Sequence, residues 1–228
     1  MEILQVGKIN VGGNRTGEGP GLNATSVTIK ENVGLLADAL ESGDGGEIVV
    51  WSDEDTNVQG FLSARGVGSD SLGGFIETSS AGMLSVNGKV DAGSDLGEAG
   101  VWLLDPDDLA INLSGVGGVS VFALQTALLT TDVTQTATGN IFWEAGAILD
   151  YNGISRNANL SLNAGENISI EGIIADSVVD SGDSLNLNLI AGGSVTLRDS
   201  IILLQGGDFN STSGGAFTQI VSESLDKN

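Results

Sequence analysis

Apolar and polar residues alternate in short runs along this chain, and the runs recur about every 28 residues, a spacing typical of repeat proteins. Gly45-Gly46 followed by Ile48 returns as Gly73-Gly74 followed by Ile76. Alternation with a period of two is typical of half-buried strands, and self-similarity at this spacing is typical of solenoids, whose coils bury their apolar faces against each other. The pattern therefore predicts that Ile48 and Ile76 lie in adjacent layers of one parallel stack.

The same pattern returns in the second half of the chain, where residues 159–165 recur as residues 186–192. Within the first of these runs, Leu160 and Leu162 are predicted to point inward, and Ser161 is predicted to point outward. Dividing the 228 residues by a period near 28 predicts about eight turns. A sandwich would instead need hairpin signals every 8–12 residues or so, and the observed period is not a hairpin period.

Composition agrees with an all-β chain, because 35 glycines, 4% aromatic residues and only two prolines suit short strands joined by tight turns. One segment departs from this pattern. Residues 121–129 have helical spacing, with Val121, Leu124 and Leu128 on one face and Ser120 as the N-cap. We predict a parallel β-helix with one short helix packed on its side.

Three segments are predicted along the chain. Residues 1–118 form the N-terminal β-helix turns and begin with a strand at Ile3–Val6, and residues 119–222 continue the β-helix after the short helix. Residues 223–228 are predicted to be a frayed tail.

Charge limits the classes of partner. The formal net charge is −22, from 30 acidic and 8 basic residues, with no histidine and no cysteine. Such a field repels phosphate backbones and anionic lipid, so nucleic acid and membrane surfaces are not predicted partners. No apolar run reaches the roughly 18 residues of a membrane span, and the first residues, MEILQVGK, lack the basic and apolar regions of a secretory signal peptide.

Carboxylates are the remaining candidates for chemistry. Asp105, Asp107 and Asp108 share one turn, and oxygen ligands in a loop are what Ca²⁺ requires, so this turn is the candidate calcium site. The alternative is that turn aspartates cap backbone N–H groups. Because histidine and cysteine are absent and no aspartate pair follows the repeat spacing, we predict no enzyme activity and no cofactor.

Aromatic residues allow two interpretations, a sugar-binding platform or packing within the stack. The residues concerned are Trp51, Phe61, Phe75, Trp102, Phe142 and Trp143. Phe75 precedes Trp102 by close to one repeat, and this spacing predicts a ladder of stacked rings in the interior or at an edge.

Several asparagines stand in Asn-x-Ser/Thr sequons, which can be glycosylated in secreted proteins. These are Asn14, Asn23, Asn112, Asn159, Asn167 and Asn210. Asparagine also suits turns and inter-strand ladders, and we predict hydrogen bonds of that kind for these side chains.

A run of motifs in the first half is more specific. It consists of GGEIVVWSDEDTNVQGFLSARG at 45–66, GGFIETSSAGMLSVNGKVDA at 73–92 and GEAGVWLLDPDDLAI at 97–111. In these segments the chain resembles the filamentous haemagglutinin-like exoproteins of the bacterial two-partner secretion pathway. The resemblance covers residues 1–130 most strongly.

This resemblance implies a right-handed parallel β-helix that leaves the cell through an outer-membrane transporter. It also implies an adhesin-type role at the cell surface or after release, toward a glycan or protein receptor on a host cell or other surface. The chain lacks the family's N-terminal export motif, so we expect an internal or C-terminal part of an exoprotein. Two alternatives stay open: end-to-end self-association through exposed strand edges, and a polysaccharide-acting β-helical enzyme.

Overall fold

The computed structural model describes residues 7–152, 156–177 and 183–221. The predicted strand Ile3–Val6 and the predicted tail 223–228 lie outside this range. Before the helix, the strands are β1 (Lys8–Val11), β2 (Ser26–Ile29), β3 (Gly34–Leu36), β4 (Glu47–Ser52), β5 (Asp55–Val58), β6 (Phe61–Ser63), β7 (Phe75–Ser80), β8 (Met83–Val86), β9 (Lys89–Asp91), β10 (Val101–Leu104), β11 (Leu109–Asn112) and β12 (Val119–Ser120).

The helix α1 (Val121–Leu128) follows β12 directly. After it come β13 (Asp132–Ala137), β14 (Ile141–Trp143), β15 (Ile148–Tyr151), β16 (Asn157–Ala164), β17 (Ile168–Ile170), β18 (Ile173–Asp176), β19 (Ser184–Ala191), β20 (Val195–Arg198), β21 (Ile201–Leu203), β22 (Phe209–Ser213) and β23 (Phe217–Ile220). A short 3₁₀ turn at Arg15–Gly17 lies between β1 and β2.

These strands form a parallel β-solenoid, as the repeat predicts. The first sheet has eight strands in the order β1-β4-β7-β10-β13-β16-β19-β22, and the second has nine in the order β2-β5-β8-β12-β11-β14-β17-β20-β23. The third face is divided into two three-stranded sheets, β3-β6-β9 and β15-β18-β21. Six coils of the described chain carry a strand on all three faces, one carries α1 on the third face, and the last has two strands. The sequence estimate of about eight turns therefore corresponds to about six complete turns and two partial ones.

The decisive register is the predicted one, because Ile48 pairs with Ile76 in neighbouring parallel strands. The paired glycines that mark the repeat lie at the corner before these strands, where the coils touch backbone to backbone. A Cβ on Gly74 would lie 2.3 Å from the carbonyl oxygen of Gly46, a distance at which no side chain fits. The Gly-Gly pairs therefore record a close approach between coils.

Helix α1 occupies the third face between the two small sheets and packs against β9 and β15. The hydroxyl of Ser120 accepts a hydrogen bond of 3.0 Å from the backbone N–H of Ala123, which confirms the predicted N-cap. Val121, Leu124 and Leu128 are buried, as predicted from their spacing. Among the described residues, no helix is both long enough and apolar enough to span a membrane.

The core fills the inside of the coil with aliphatic side chains. Leu160 and Leu162 are fully buried, whereas Ser161 between them is not, which confirms the predicted alternation. Trp102 and Trp143 are also fully buried, and each indole N–H has a partner: Trp102 donates to the hydroxyl of Thr78 at 2.9 Å, and Trp143 donates to the carbonyl of Ala147 at 2.9 Å. A buried indole needs such a partner because an unpaired N–H inside a protein is costly.

The predicted ladder of rings from Phe75 to Trp102 is wrong. Residues that pair between β7 and β10 are one residue closer in the sequence than Phe75 and Trp102 are. Phe75 therefore pairs with Val101, and Trp102 pairs with Ile76. Successive side chains of a strand point to opposite faces, so the difference of one residue puts Phe75 outside and Trp102 inside. Phe61 and Phe142 also point outward, each with 38% of its surface exposed.

Strands β13 and β22 are among those that sequence reasoning missed. Gln135 is a fully buried inward residue of β13, and Ser211 of β22 pairs with the inward residue Leu189. Polar side chains at inward positions weaken the alternation on which strand prediction depends. In both cases the strand forms because the neighbouring coil supplies the hydrogen-bonding edge.

Candidate functional surface

The corner between the first and second sheets carries a ladder of polar side chains that bonds one coil to the next. Asp108 accepts hydrogen bonds from the backbone and side-chain N–H groups of Asn140, at 2.6 and 3.3 Å. The side-chain oxygen of Asn140 accepts bonds from the backbone and side chain of Asn167, at 3.2 and 3.0 Å. Asn167 in turn accepts a bond of 2.9 Å from the backbone N–H of Ser194. We call Asp108, Asn140, Asn167 and Ser194 the corner ladder.

A second ladder follows the outer face of the first sheet. Asp132 accepts bonds from the backbone and side chain of Asn159, at 3.1 and 2.7 Å. The side chain of Asn186 donates to Asn159 at 3.0 Å, and the backbone N–H of Asp208 donates to Asn186 at 2.9 Å. The predicted ladder bonds of Asn159 and Asn167 are therefore confirmed.

Aspartates repeat one role around the solenoid, that of accepting a backbone N–H from the next coil. The pairs, acceptor first, are Asp38 with Arg65, Asp44 with Leu72, Asp108 with Asn140, Asp132 with Asn159, and Asp150 with Ser177. A carboxylate that accepts a backbone N–H satisfies a polar group that the corner leaves outside the regular sheet pairing. Part of the acidity of this chain therefore has a structural use.

Arg65 belongs to the Ala-Arg-Gly turn of the motif run and joins two acidic residues of the next coil. Its guanidinium lies 2.7 Å from a carboxylate oxygen of Asp91 and 2.6 Å from one of Asp95. The hydrogen bond to Asp95 is the largest contribution that raises the pKa of Arg65 above its ordinary value. This turn thus fixes neighbouring coils by charge as well as by backbone bonds.

The three predicted calcium ligands do not act as a single group. Asp107 and Asp108 line one shallow groove with Glu166, whereas Asp105 lies half-buried at the end of β10. Asp107 accepts a bond of 3.1 Å from the hydroxyl of Thr138, and burial together with the charge of Asp107 raises the pKa of Asp105. No three acidic, histidine or cysteine side chains converge as metal ligands in the described ranges. Calcium binding at this turn stays a prediction, which calorimetric titration of the wild type and Asp107→Asn can test.

The loop between β1 and β2 covers part of the outer face of the first sheet. Trp51 points outward but is buried, because this loop lies against its ring, and a Cβ on Gly17 would come within 2.2 Å of the indole. Arg15 of the same loop lies over the ring of Phe75, 3.7 Å from its centre. The loop therefore removes an aromatic pair from the exposed surface.

Glu77 is a fully buried carboxylate beneath this loop. It accepts a hydrogen bond of 2.9 Å from the backbone N–H of Thr16, a residue held at a φ of 56°. Burial raises the pKa of Glu77 above its ordinary value, the charge of Asp105 raises it further, and the bond from Thr16 and the charge of Arg15 oppose this rise. Glu77 thus fastens the loop and is destabilised as an anion by its surroundings.

An open groove lies at the corner between the second sheet and the neighbouring strands β6 and β9, next to the start of α1. It has a volume of about 500 Å³. The residues that line it are Glu31, Gln59, Gly60, Phe61, Asn87, Gly88, Lys89 and Phe122. We call it the Phe61–Phe122 groove.

The floor of this groove is backbone, and its polar walls are unused. A Cβ on Gly88 would lie 2.2 Å from the carbonyl oxygen of Gly60, so the two coils meet directly there. The register that pairs Phe61 with Lys89 also places Gln59 beside Asn87. Within the described part of the chain, the side chains of Gln59 and Asn87 have no hydrogen-bonding partner. These two amides differ in this respect from the amides of the corner ladder.

Sequence reasoning did not single out this groove. Phe122 belongs to the predicted helix, but it lies off the apolar face of that helix and is 59% exposed. Gln59 and Asn87 are repeat-matched amides, each directly before a glycine, and this spacing was the available signal. The position of α1, which brings Phe122 to the groove that Phe61 also lines, could not be derived from the repeat.

No protein-family model matches this chain, and a search of curated proteins finds no relative. The structure establishes a parallel β-solenoid. The resemblance to haemagglutinin-like exoproteins rests on the sequence motifs of residues 45–111.

Proposed function

We propose that this chain is a non-enzymatic solenoid segment of a secreted or surface-attached bacterial exoprotein, in which a stiff rod presents an adhesive outer surface. One observation carries the proposal. The motif run at 45–111 coincides with successive coils of a parallel β-solenoid, the architecture that the resemblance implies.

The mechanism of such a segment is mechanical. The eight layers of the first sheet extend about 34 Å, taking about 4.8 Å for each of seven steps. Backbone bonds, the corner ladder and the aspartate caps join consecutive coils, so bending the rod would break many bonds together. The net charge of −22 keeps separate rods apart in solution.

The proposed partners are an outer-membrane transporter during export and a receptor on a host cell or other surface. The chain has no cysteine, so passage through a transporter in an unfolded form requires no disulfide to be reduced. A gene for such a transporter beside the gene for this chain would support the export route. Its absence there would count against that route.

Adhesion is tested with beads coated with the folded protein and applied to cultured epithelial cells. We expect saturable attachment that soluble protein competes away. Beads coated with heat-unfolded protein are the matched control, because they carry the same charge and composition. Attachment equal to that control would contradict the adhesive role.

The enzymatic alternative is tested separately by measuring reducing-sugar release from pectin, polygalacturonate and neutral polysaccharides. We expect no release above a buffer blank. Release that disappears in an aspartate variant would overturn the non-enzymatic proposal.

A second candidate function, end-to-end self-association, is favoured by the last described coil. Strands β22 and β23 each pair on one side only within the described residues. Phe209 and Phe217 of these strands are 41% and 49% exposed, and their rings meet edge to face at 6.4 Å between centres. An open edge with exposed rings and only Asp208 charged among residues 205–221 is a template for another strand.

Light scattering against protein concentration tests this candidate. Head-to-tail assembly gives filaments whose mass grows with concentration, because heterologous contacts need not close. Replacing both rings in Phe209→Ser/Phe217→Ser should abolish that growth. A monomeric wild type at high concentration would contradict self-association and leave the adhesive proposal untouched.

A further inference from the structure

We propose that the Phe61–Phe122 groove binds a neutral oligosaccharide, with the two rings against the C–H faces of the sugar and the amides of Gln59 and Asn87 bonded to its hydroxyl groups. This inference rests on the proposed adhesive function and deepens it, because it assigns a site and a ligand class to that function.

The groove has the dimensions of a ligand site. Its volume of about 500 Å³ lies within the range of roughly 300–1,000 Å³ typical of small-ligand sites. Its floor consists of Gly60 and Gly88, where any side chain would collide with the neighbouring coil. The floor is therefore backbone at which neighbouring coils meet directly, without side chains.

Both aromatic side chains of the groove are exposed to solvent. Phe61 is 38% exposed and Phe122 is 59% exposed. Gly34 pairs with Phe61 on the opposite side from Lys89, so no side chain of that neighbour covers the ring. Aromatic faces pack favourably on flat apolar surfaces, and the C–H face of a pyranose ring is such a surface.

The polar groups match hydroxyls. A hydroxyl both donates and accepts hydrogen bonds, and a primary amide offers two donors and two acceptor lone pairs, so one amide can serve two neighbouring hydroxyls. Gln59 and Asn87 stand in adjacent layers, about 4.8 Å apart, with their hydrogen-bonding capacity unused by the described chain. In the corner ladder the same chemistry joins coil to coil.

Charge selects a neutral sugar over an acidic one. The groove contains one basic and one acidic side chain, Lys89 and Glu31, which balance each other. The chain as a whole carries −22, and this field disfavours the approach of uronic or sialic acids. A neutral or N-acetylated oligosaccharide meets no such penalty.

The test is calorimetric titration of the full chain with cellotetraose, N-acetylchitotetraose and lacto-N-tetraose, together with trigalacturonate and sialyllactose as acidic probes. We expect at least one neutral sugar to bind and both acidic probes to bind more weakly. Failure of all three neutral sugars to bind at millimolar concentration would overturn the proposal. Tighter binding of an acidic probe would also overturn the neutral assignment.

Substitutions in the groove show where the sugar binds. Phe61→Ala and Phe122→Ala should each weaken the neutral sugar roughly tenfold, the loss typical of a ring at the centre of a binding site. Gln59→Met and Asn87→Leu should weaken it as well, because they approximately keep the side-chain size and remove the hydrogen bonds. Phe142→Ala is the matched control, since Phe142 has the same 38% exposure on a different face.

Equal binding by Phe122→Ala and Phe142→Ala would place the sugar elsewhere and overturn the assignment. Far-ultraviolet circular dichroism and thermal midpoints verify that each variant is folded. The bead assay distinguishes the two proposals: attachment to cells without sugar binding retains the adhesive function and removes this site, whereas sugar binding without attachment does the reverse.

Discussion

Two corners of this solenoid use the same kind of side chain for opposite purposes. At the corner ladder, Asn140 and Asn167 stack one coil apart. Their amides form hydrogen bonds with backbone N–H groups and with each other. At the Phe61–Phe122 groove, Gln59 and Asn87 also stack one coil apart, but their amides have no hydrogen-bonding partner among the described residues. The comparison teaches that stacking alone does not decide whether a repeated amide stabilises the rod or faces a ligand.

The largest expected effect is at the floor of the groove. In Gly88→Ala the new Cβ would lie 2.2 Å from the Gly60 carbonyl oxygen, so the coils must separate. We expect a loss of about 1–3 kcal/mol in the free energy of unfolding, the usual cost of forcing extra atoms into a packed site. Chemical denaturation measures it.

Gly34→Ala is the control for this change. Gly34 lies in the same small sheet, and its new Cβ would find its nearest neighbour at 3.8 Å, an ordinary contact. A similar loss in both variants would show that general glycine flexibility matters here and that close coil contact does not.

The next effect compares the corners directly. Asn167→Ala removes one bond to Ser194 and one to Asn140, and we expect it to cost about 1–2 kcal/mol, since each such bond is worth about 0.5–1.5 kcal/mol. Asn87→Ala should change stability by less than about 0.5 kcal/mol. Hydrogen exchange should show faster exchange of the Ser194 amide in Asn167→Ala only. Equal costs for the two variants would abolish the distinction between the corners.

The smallest effect concerns Glu77. Its carboxylate is buried, whereas the carboxylates of the ladders lie at the corners of the solenoid. Burial raises its native pKa, so its contribution to stability is fully present below the ordinary glutamate pKa of about 4.3 and is lost as pH rises through the raised value. Glu77→Gln keeps the acceptor for Thr16 without the charge. We therefore expect it to unfold at a higher denaturant concentration than the wild type at pH 7.

The difference between Glu77→Gln and the wild type should close at acid pH, where both side chains are neutral. The exposed Glu98→Gln, measured at the same pH values, controls for the removal of one negative charge from the chain. A less stable Glu77→Gln at pH 7 would mean that the attraction of Arg15 and the bond from Thr16 outweigh the cost of burying the charge.

Much of the architecture could be predicted because the repeat and the alternation arise directly from which side chains pack in the core. Ile48 and Ile76 recur since each layer must present an apolar residue to the next, and Ser120 precedes the helix since the first turn needs an acceptor. The candidate groove was harder to predict from the sequence. Phe122 lies outside the helix's apolar face, and nothing in its immediate sequence indicates that it shares a groove with Phe61.

The layered β-solenoid, its spacing and the short helix follow from periodic burial and local capping, which are visible in the residues themselves. The face that each aromatic residue occupies depends on how the coils align, because one residue of difference between coils reverses every side chain of a strand. That alignment also determines which amides are free, since a hydrogen-bonding partner one coil away is set by how the corners stack. The groove and the corner ladder therefore both depend on the register between neighbouring coils. The sequence of a single repeat does not specify that register.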